Sequence, residues 1–194
     1  MLALPSMKSF TDSASMPLVC HPRTPSRAIR GIDVVVGGSA SSILTLAFTL
    51  EGDLCGLCIP EPRASRRGPD LWQRTCFEVF LMAGEGPGYR EFNFSPSGEW
   101  AAYTFRGYRD GGELQVEIPP VIALRQSGDR LELDAEIRPE YLPPGRSLRL
   151  GLSAVVEDAD GVLSYWALRH PPGKPDFHQP DTFALQLNSP ECVT

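Results

Sequence analysis

"YREFNFSPSGEWAAYTF", residues 89–105, reads as strand, turn, strand. In its first part Phe92 and Phe94 alternate with Tyr89, Glu91 and Asn93, and a period of two puts the two sets on opposite faces of an extended chain. Ser-Pro-Ser-Gly (95–98) then reverses the chain, with Pro fixing φ and Gly supplying a positive φ. Beyond the turn Trp100, Ala102 and Thr104 share one face, and Ala101, Tyr103 and Phe105 share the other. The Phe pair is expected to face a core. The opposite face, with a tyrosine, a carboxylate and an amide, is either solvated or the floor of a binding site.

The same period extends outward in both directions. "ILTLAFTL" (43–50) sets Leu44, Leu46, Phe48 and Leu50 on one face. "ELQVEI" (113–118), "LELDAEI" (131–137) and "SLRLGLSAVVE" (147–157) alternate in the same way. Further strands are expected over 31–36, 54–59, 75–81, 121–126, 162–168 and 182–187, separated by Gly- and Pro-bearing turns such as "RDGG", "QSGD" and "LPPG". No stretch holds a helical period, although "RPEYL" (138–142) suits one short helical turn. The expectation is an all-β chain. It forms a single-domain, jelly-roll-like β-sandwich of about twelve short antiparallel strands over residues 16–194, preceded by a disordered extension over 1–15. Organised sequence begins near "PLVCHP" (17–22), and Met7 and Met16 are alternative starts.

Composition narrows the function. A chain of 194 residues suits one domain with a sizeable core. Its net charge of −6 and the lack of a basic stripe argue against nucleic acid as partner; Arg63, Arg66 and Arg67 read as a solvated loop. No apolar run is long enough to span a bilayer, so no membrane association is expected. The start lacks a secretory pattern and the five cysteines are odd in number, which together point to free thiols in the cytoplasm. "CGLC" (55–58) has redox-pair spacing, but in a strand the two cysteines point to opposite faces. "VVVGGSASS" (34–42) and "EDADG" (157–161) read as hairpin turns rather than as nucleotide or calcium loops. No nucleophile elbow, P-loop, HExxH or zinc spacing occurs, and no metal is expected.

Three stretches carry candidate chemistry. In "DLWQRTCFEVFL" (70–81), Cys76, Glu78 and Phe80 share a face, so Glu78 lies between apolar groups, and Trp72 stands at the strand mouth. A carboxylate there is costly unless paired or hydrogen-bonded. If this strand pairs with 89–94, Glu78 lies beside Asn93 or Glu91. An aromatic platform with an acid and an amide is a way to grip a sugar; spacing alone favours instead a Glu78 paired with an Arg inside the sandwich and aromatics in the core. The third stretch, "SYWALRHPPGKPDFHQPDTF" (164–183), runs from Trp166 into a loop with Arg169, His170, Lys174, Asp176 and His178. Its histidines read as structural, with an Asp176–His178 contact in a Pro-fixed turn.

Together, "LWQRTCFEVF", "YREFNFSPSGEWAAYTF" and "SYWALRHPPGKPDFHQPDTFAL" resemble bacterial DOMON-like domain proteins related to family 9 carbohydrate-binding modules, across nearly the whole chain. The resemblance implies a β-sandwich with a ligand pocket in which Trp72 precedes the acid-bearing strand of Glu78 and Trp166 completes an aromatic clamp. Haem-binding relatives use a Met and a His; here Met82 and His170 are the one candidate pair and neither sits in a matching motif, so no haem or other cofactor is expected. The expected function is non-catalytic binding of a carbohydrate, sugar nucleotide or other sugar-derived metabolite. The ligand-binding set is Trp72, Glu78, Tyr89, Glu91, Asn93, Trp166, Arg169, His170 and Lys174, with Lys174 or Arg169 meeting an anionic group. Two alternatives stand beside it. One is an enzyme using Glu78/Glu91 or His170/Asp176 as acid–base groups. The other is a protein-interaction module using an exposed aromatic patch around Trp166 and Phe177.

Overall fold

The computed structural model describes residues 15–84 and 86–188. The extension expected at the N-terminus, apart from Ser15, lies outside the described residues, as does Cys192. The fold is all-β. Its strands are β1 (Met16–Cys20), β2 (Ile29–Gly37), β3 (Leu44–Gly52), β4 (Arg66–Arg67), β5 (Cys76–Ala83), β6 (Tyr89–Phe94) and β7 (Glu99–Gly107), then β8 (Asp110–Glu113), β9 (Val121–Ser127), β10 (Arg130–Ile137), β11 (Ser147–Glu157), β12 (Leu163–Ala167) and β13 (Leu185–Asn188).

Two layers form one curled sheet. The first runs β1-β2-β3-β10-β9 and the second β4-β7-β6-β5-β11-β12, with β8 beside β7 and β13 beside β11. Strand β1 joins them: Met16–Leu18 pair with β2, while Val19 and Cys20 pair with β12. Every pairing is antiparallel except the two-residue contact of β4 with β7. The core lies between the layers, where Leu44, Leu46 and Phe48 of β3 meet Phe77, Val79, Phe92 and Phe94; the Phe48 and Phe77 rings are 5.1 Å apart. The expected inward sets of β3, β10 and β11 are all in this core.

Two expected strands are absent, for local reasons. Residues 54–59 begin as a 3-10 turn at Leu54–Gly56, because the Asp53 carboxylate accepts the Cys55 N–H and holds the chain in a turn. Cys55 and Cys58 are exposed free thiols on that turn and just after it. In 113–118 the strand stops at Glu113, because the chain crosses there from the second layer to the first. Its backbone is held by side chains instead: Arg67 donates to the Leu114 carbonyl, and the Tyr141 hydroxyl accepts the N–H groups of Glu117 and Ile118. Leu114 and Val116 still pack on the core, so the alternation reported burial without reporting pairing. The last expected strand starts later, at Leu185, after a 3-10 turn at Pro180–Thr182. The helical turn expected near 138–142 forms at Pro139–Tyr141.

Candidate functional site

The second layer has an outer face that is not solvated. Register sets its members. Glu78 of β5 lies opposite Asn93 of β6 on one side and Ser153 of β11 on the other. Glu91 lies opposite Phe80 and Tyr103, and Val155 lies opposite Cys76 and Tyr165. All these side chains therefore point away from the core, yet Cys76 to Met82 are buried without a break. The cover comes from three segments: the turn at Asp70–Gln73, the β7–β8 hairpin carrying Arg109, and the loop from Lys174 to His178. Between cover and sheet is a cavity of about 690 Å³, within the range of small-molecule sites. Where β11 passes beneath this face, Gly151 leaves room for Phe183; a Cβ there would lie 2.6 Å from its ring.

The floor carries two carboxylates. Glu78 is 2% exposed and Glu91 5%. The Ser153 hydroxyl donates to Glu78 at 3.1 Å, and the Cys76 thiol lies 3.7 Å from its other oxygen. Asn93 donates its amide to Glu91 at 2.8 Å. No ion pair reaches Glu78 among the described residues, so the alternative of a buried Arg partner does not hold. Burial raises Glu78 to about 8, and the neighbouring Glu91 adds to the rise. Burial likewise raises Glu91 to about 7, against the lowering effect of Asn93 and Arg109.

A chain of hydrogen bonds sets the adjoining wall. The Arg109 backbone N–H donates to the Tyr89 hydroxyl at 3.1 Å, which leaves the Tyr89 proton for His178 Nδ1 at 2.8 Å. Burial and the Arg109 charge lower His178 to about 4, so its ring is neutral at pH 7. With Nδ1 accepting, the remaining proton sits on Nε2, which faces Glu91 at 3.8 Å. The loop that carries His178 is tied down by Asp176. This carboxylate accepts from the Tyr108 hydroxyl at 2.6 Å, the Arg109 guanidinium at 3.1 Å and the His178 N–H at 3.2 Å. Arg109 holds a left-handed backbone, φ 55°, which aims both its N–H and its side chain into this network.

Of the residues expected from sequence, Trp72, Glu78, Glu91 and Lys174 line the cavity. Trp72 is 48% exposed at the rim. Tyr89 and Asn93 stand behind, holding His178 and Glu91. Trp166 does not join them. It lies opposite Ala154, on the inner face, and is buried in the sandwich core with its indole N–H donated to Ser164. Arg169 is exposed and outside the cavity. His170 is also outside, bonded through Nε2 to the Val19 carbonyl and packed edge-on to His21. Neither Met82 nor His170 lines the cavity. Trp166 and Phe177 are both buried, so the exposed aromatic patch of the interaction-module alternative does not form. Sequence reading passed over Tyr103, Phe105, Tyr165 and Arg109. Parity with Glu91 could have found the first two. Tyr165 needed the β11–β12 register, and Arg109, in a turn, carried no periodic signal.

No protein-family model matches the chain, and no curated protein matches it in sequence. Among solved structures it is similar to a putative carbohydrate-binding protein from Bacteroides uniformis, with a TM-score of 0.70 at 14% identity over 92% of this chain and 87% of that one. It is also similar to a carbohydrate binding module family 9 from Caldicellulosiruptor kristjanssonii. The glucose complex of that module matches at TM-score 0.54 and 11% identity, over 97% of this chain and 92% of the other. Its cellotriose complex matches at 0.53 and 9%, over 91% and 82%. At these identities the likeness establishes a shared fold.

Proposed function

We propose that this protein binds a carbohydrate or sugar-derived metabolite, without turning it over, in the cavity on the outer face of its second layer. The observation that carries this reading is the pairing of buried carboxylates with aromatic side chains around one cavity: Glu78 and Glu91 on the floor, Tyr103, Phe105 and Tyr165 beside them, and Trp72 at the rim. Sugar rings have apolar faces that stack on aromatics and hydroxyls that hydrogen-bond to carboxylates. The fold shared with the family 9 module solved with glucose and cellotriose supports the same reading, as does the sequence resemblance to DOMON-like proteins. Exposed free thiols at Cys55 and Cys58 support a cytoplasmic setting.

The test is calorimetric titration of the protein with glucose and short gluco-oligosaccharides. Replacing Trp72 with Ala is expected to weaken binding about 30-fold, or about 2 kcal/mol, for a lost stacking anchor. Because Trp72 is half-exposed, the melting temperature should barely move. Unchanged affinity in the folded variant would remove Trp72 from the site. Silence of every sugar would remove the reading itself.

The raised carboxylates also favour a second reading, acid–base catalysis on the bound sugar. Its geometry is less apt. Glu78 and Glu91 come from adjacent strands on one floor, whereas a glycosidase pair flanks the scissile bond. Release of reducing ends from an oligosaccharide, abolished by Glu78→Gln, would establish it.

A further inference from the structure

We infer that the sugar taken by this cavity carries a protonated amine, and that its ammonium group meets Glu78 and Glu91 on the floor. This rests on the binding reading above and specifies the chemistry of the ligand.

Once its carboxyls ionise, the floor is rich in acceptors and poor in donors. An ionised carboxylate offers about four acceptor positions. Glu78 receives the Ser153 hydroxyl and a long thiol contact, and Glu91 receives one amide N–H. Glu91 Oε2 accepts no hydrogen bond among the described residues; its nearest donor is His178 Nε2 at 3.8 Å. Asn93, fully buried opposite Glu78 on the same face, has its carbonyl oxygen Oδ1 without a partner. A sugar hydroxyl supplies one proton to such a floor. An ammonium supplies three N–H donors and a compensating charge.

Among the described residues, the protein's own cations do not fill this role. The Arg109 guanidinium is engaged by Asp176 and Tyr108, and Lys174 is exposed at the rim. His178 presents a neutral ring. Further acids, Asp70 and Glu113, line the cavity and add to a field that attracts a cation. Two buried carboxylates without a cation are costly to ionise. A cationic ligand offsets that cost, and a neutral one leaves it standing.

The experiment titrates the whole chain with glucosamine, glucose and N-acetylglucosamine at pH 7 and pH 5. Glucosamine carries the charge; the N-acetyl sugar keeps the nitrogen without it. Glucosamine is expected to bind roughly tenfold more tightly than either neutral sugar at pH 7, as charge-assisted bonds replace neutral ones. At pH 7 without ligand Glu91 is about half ionised and Glu78 holds most of its proton, so the ammonium has a partly ionised pair to meet and draws it further towards ionisation. At pH 5 both carboxyls hold their protons and this advantage should largely disappear, with glucose affinity unchanged. Five other groups facing the pair keep one state across that interval. His178 is lowered to about 4 and stays neutral; Cys76, Tyr103 and Tyr165 are raised by burial and stay neutral; Arg109 stays charged. Glu91→Gln should shrink the glucosamine advantage at pH 7, and the pH series on the unaltered protein stands as the independent arm. Glucose binding with no glucosamine advantage overturns this inference and leaves the binding reading intact. Silence of all three sugars overturns both. An advantage that persists at pH 5 and in Glu91→Gln places the ammonium elsewhere and overturns the inference.

Discussion

The two outer faces of the sandwich start from the same alternating pattern and end as opposites. On the first layer, Glu132 and Asp134 of β10 point outward beside Arg125 of β9, and Arg130 bridges Glu132 and Glu51. These charges pair with one another in water and need no cover. On the second layer, Glu78 and Glu91 occupy equivalent outward positions but are enclosed by loops and aromatics, with no cation paired to either among the described residues. The difference is in the neighbours. An acid flanked by acids and arginines marks a solvated face; an acid flanked by Cys76 and Phe80, or by Tyr89 and Asn93, marks a covered one. The polar face of the 89–94 strand is therefore a floor.

The largest break in this comparison comes from the face the two layers share. Phe77 is fully buried against Phe48. Phe77→Ala is expected to destabilise the fold by about 4 kcal/mol through lost transfer energy and a residual cavity. Urea unfolding should show this as a lower midpoint with an unchanged slope. Its neighbour one residue on, Glu78, points the other way and should behave oppositely when changed to Gln.

That opposite behaviour is a pH effect with a defined sign. Glu78 is raised in the folded state to about 8 from an ordinary 4.5. The folded protein therefore holds this proton to higher pH than the unfolded chain does. The associated stability is fully present below about pH 4.5 and is lost as pH rises through about 8. Between pH 6.5 and 8.5 the wild-type protein is expected to lose about 2 kcal/mol relative to Glu78→Gln, whose amide does not titrate. The difference between the two proteins cancels the titrating groups remote from Glu78, and what remains belongs to Glu78 together with the neighbouring Glu91. Parallel stability curves across that interval would place Glu78 in an ordinary carboxylate environment.

The strand framework was legible because it rests on alternation: β6 and β11 run between the residues expected. What escaped was whatever depends on partners distant in sequence. The resemblance to family 9 modules makes Trp166 a clamp residue, but register against Ala154 turns it into the core. Residues 113–118 alternate because Leu114 and Val116 pack partly on the core, although Ile118 is exposed, and such packing alone does not make a ladder. In the site, Glu78, Glu91 and Trp72 were readable as an acid out of place and an aromatic beside it. Arg109 was not, since its role follows from a left-handed turn that brings it to Tyr89 and Asp176, residues far away in the chain.

The smallest expected effect lies on the solvated face and sharpens the comparison from the other side. Asp134 accepts from Arg125 at 2.6 Å, a shorter contact than any made to Glu78 or Glu91. Distance alone would rank it first. Yet Arg125 is 45% exposed and already bonded to Glu132, so water and a second carboxylate stand ready to replace the lost partner. Asp134→Asn is therefore expected to change stability by no more than about 0.5 kcal/mol and to leave sugar affinity untouched. A loss of about 2 kcal/mol, read by the same urea titration, would mean that the first layer's charges act as a cooperative network and that its outer face is less solvent-like than its composition implies.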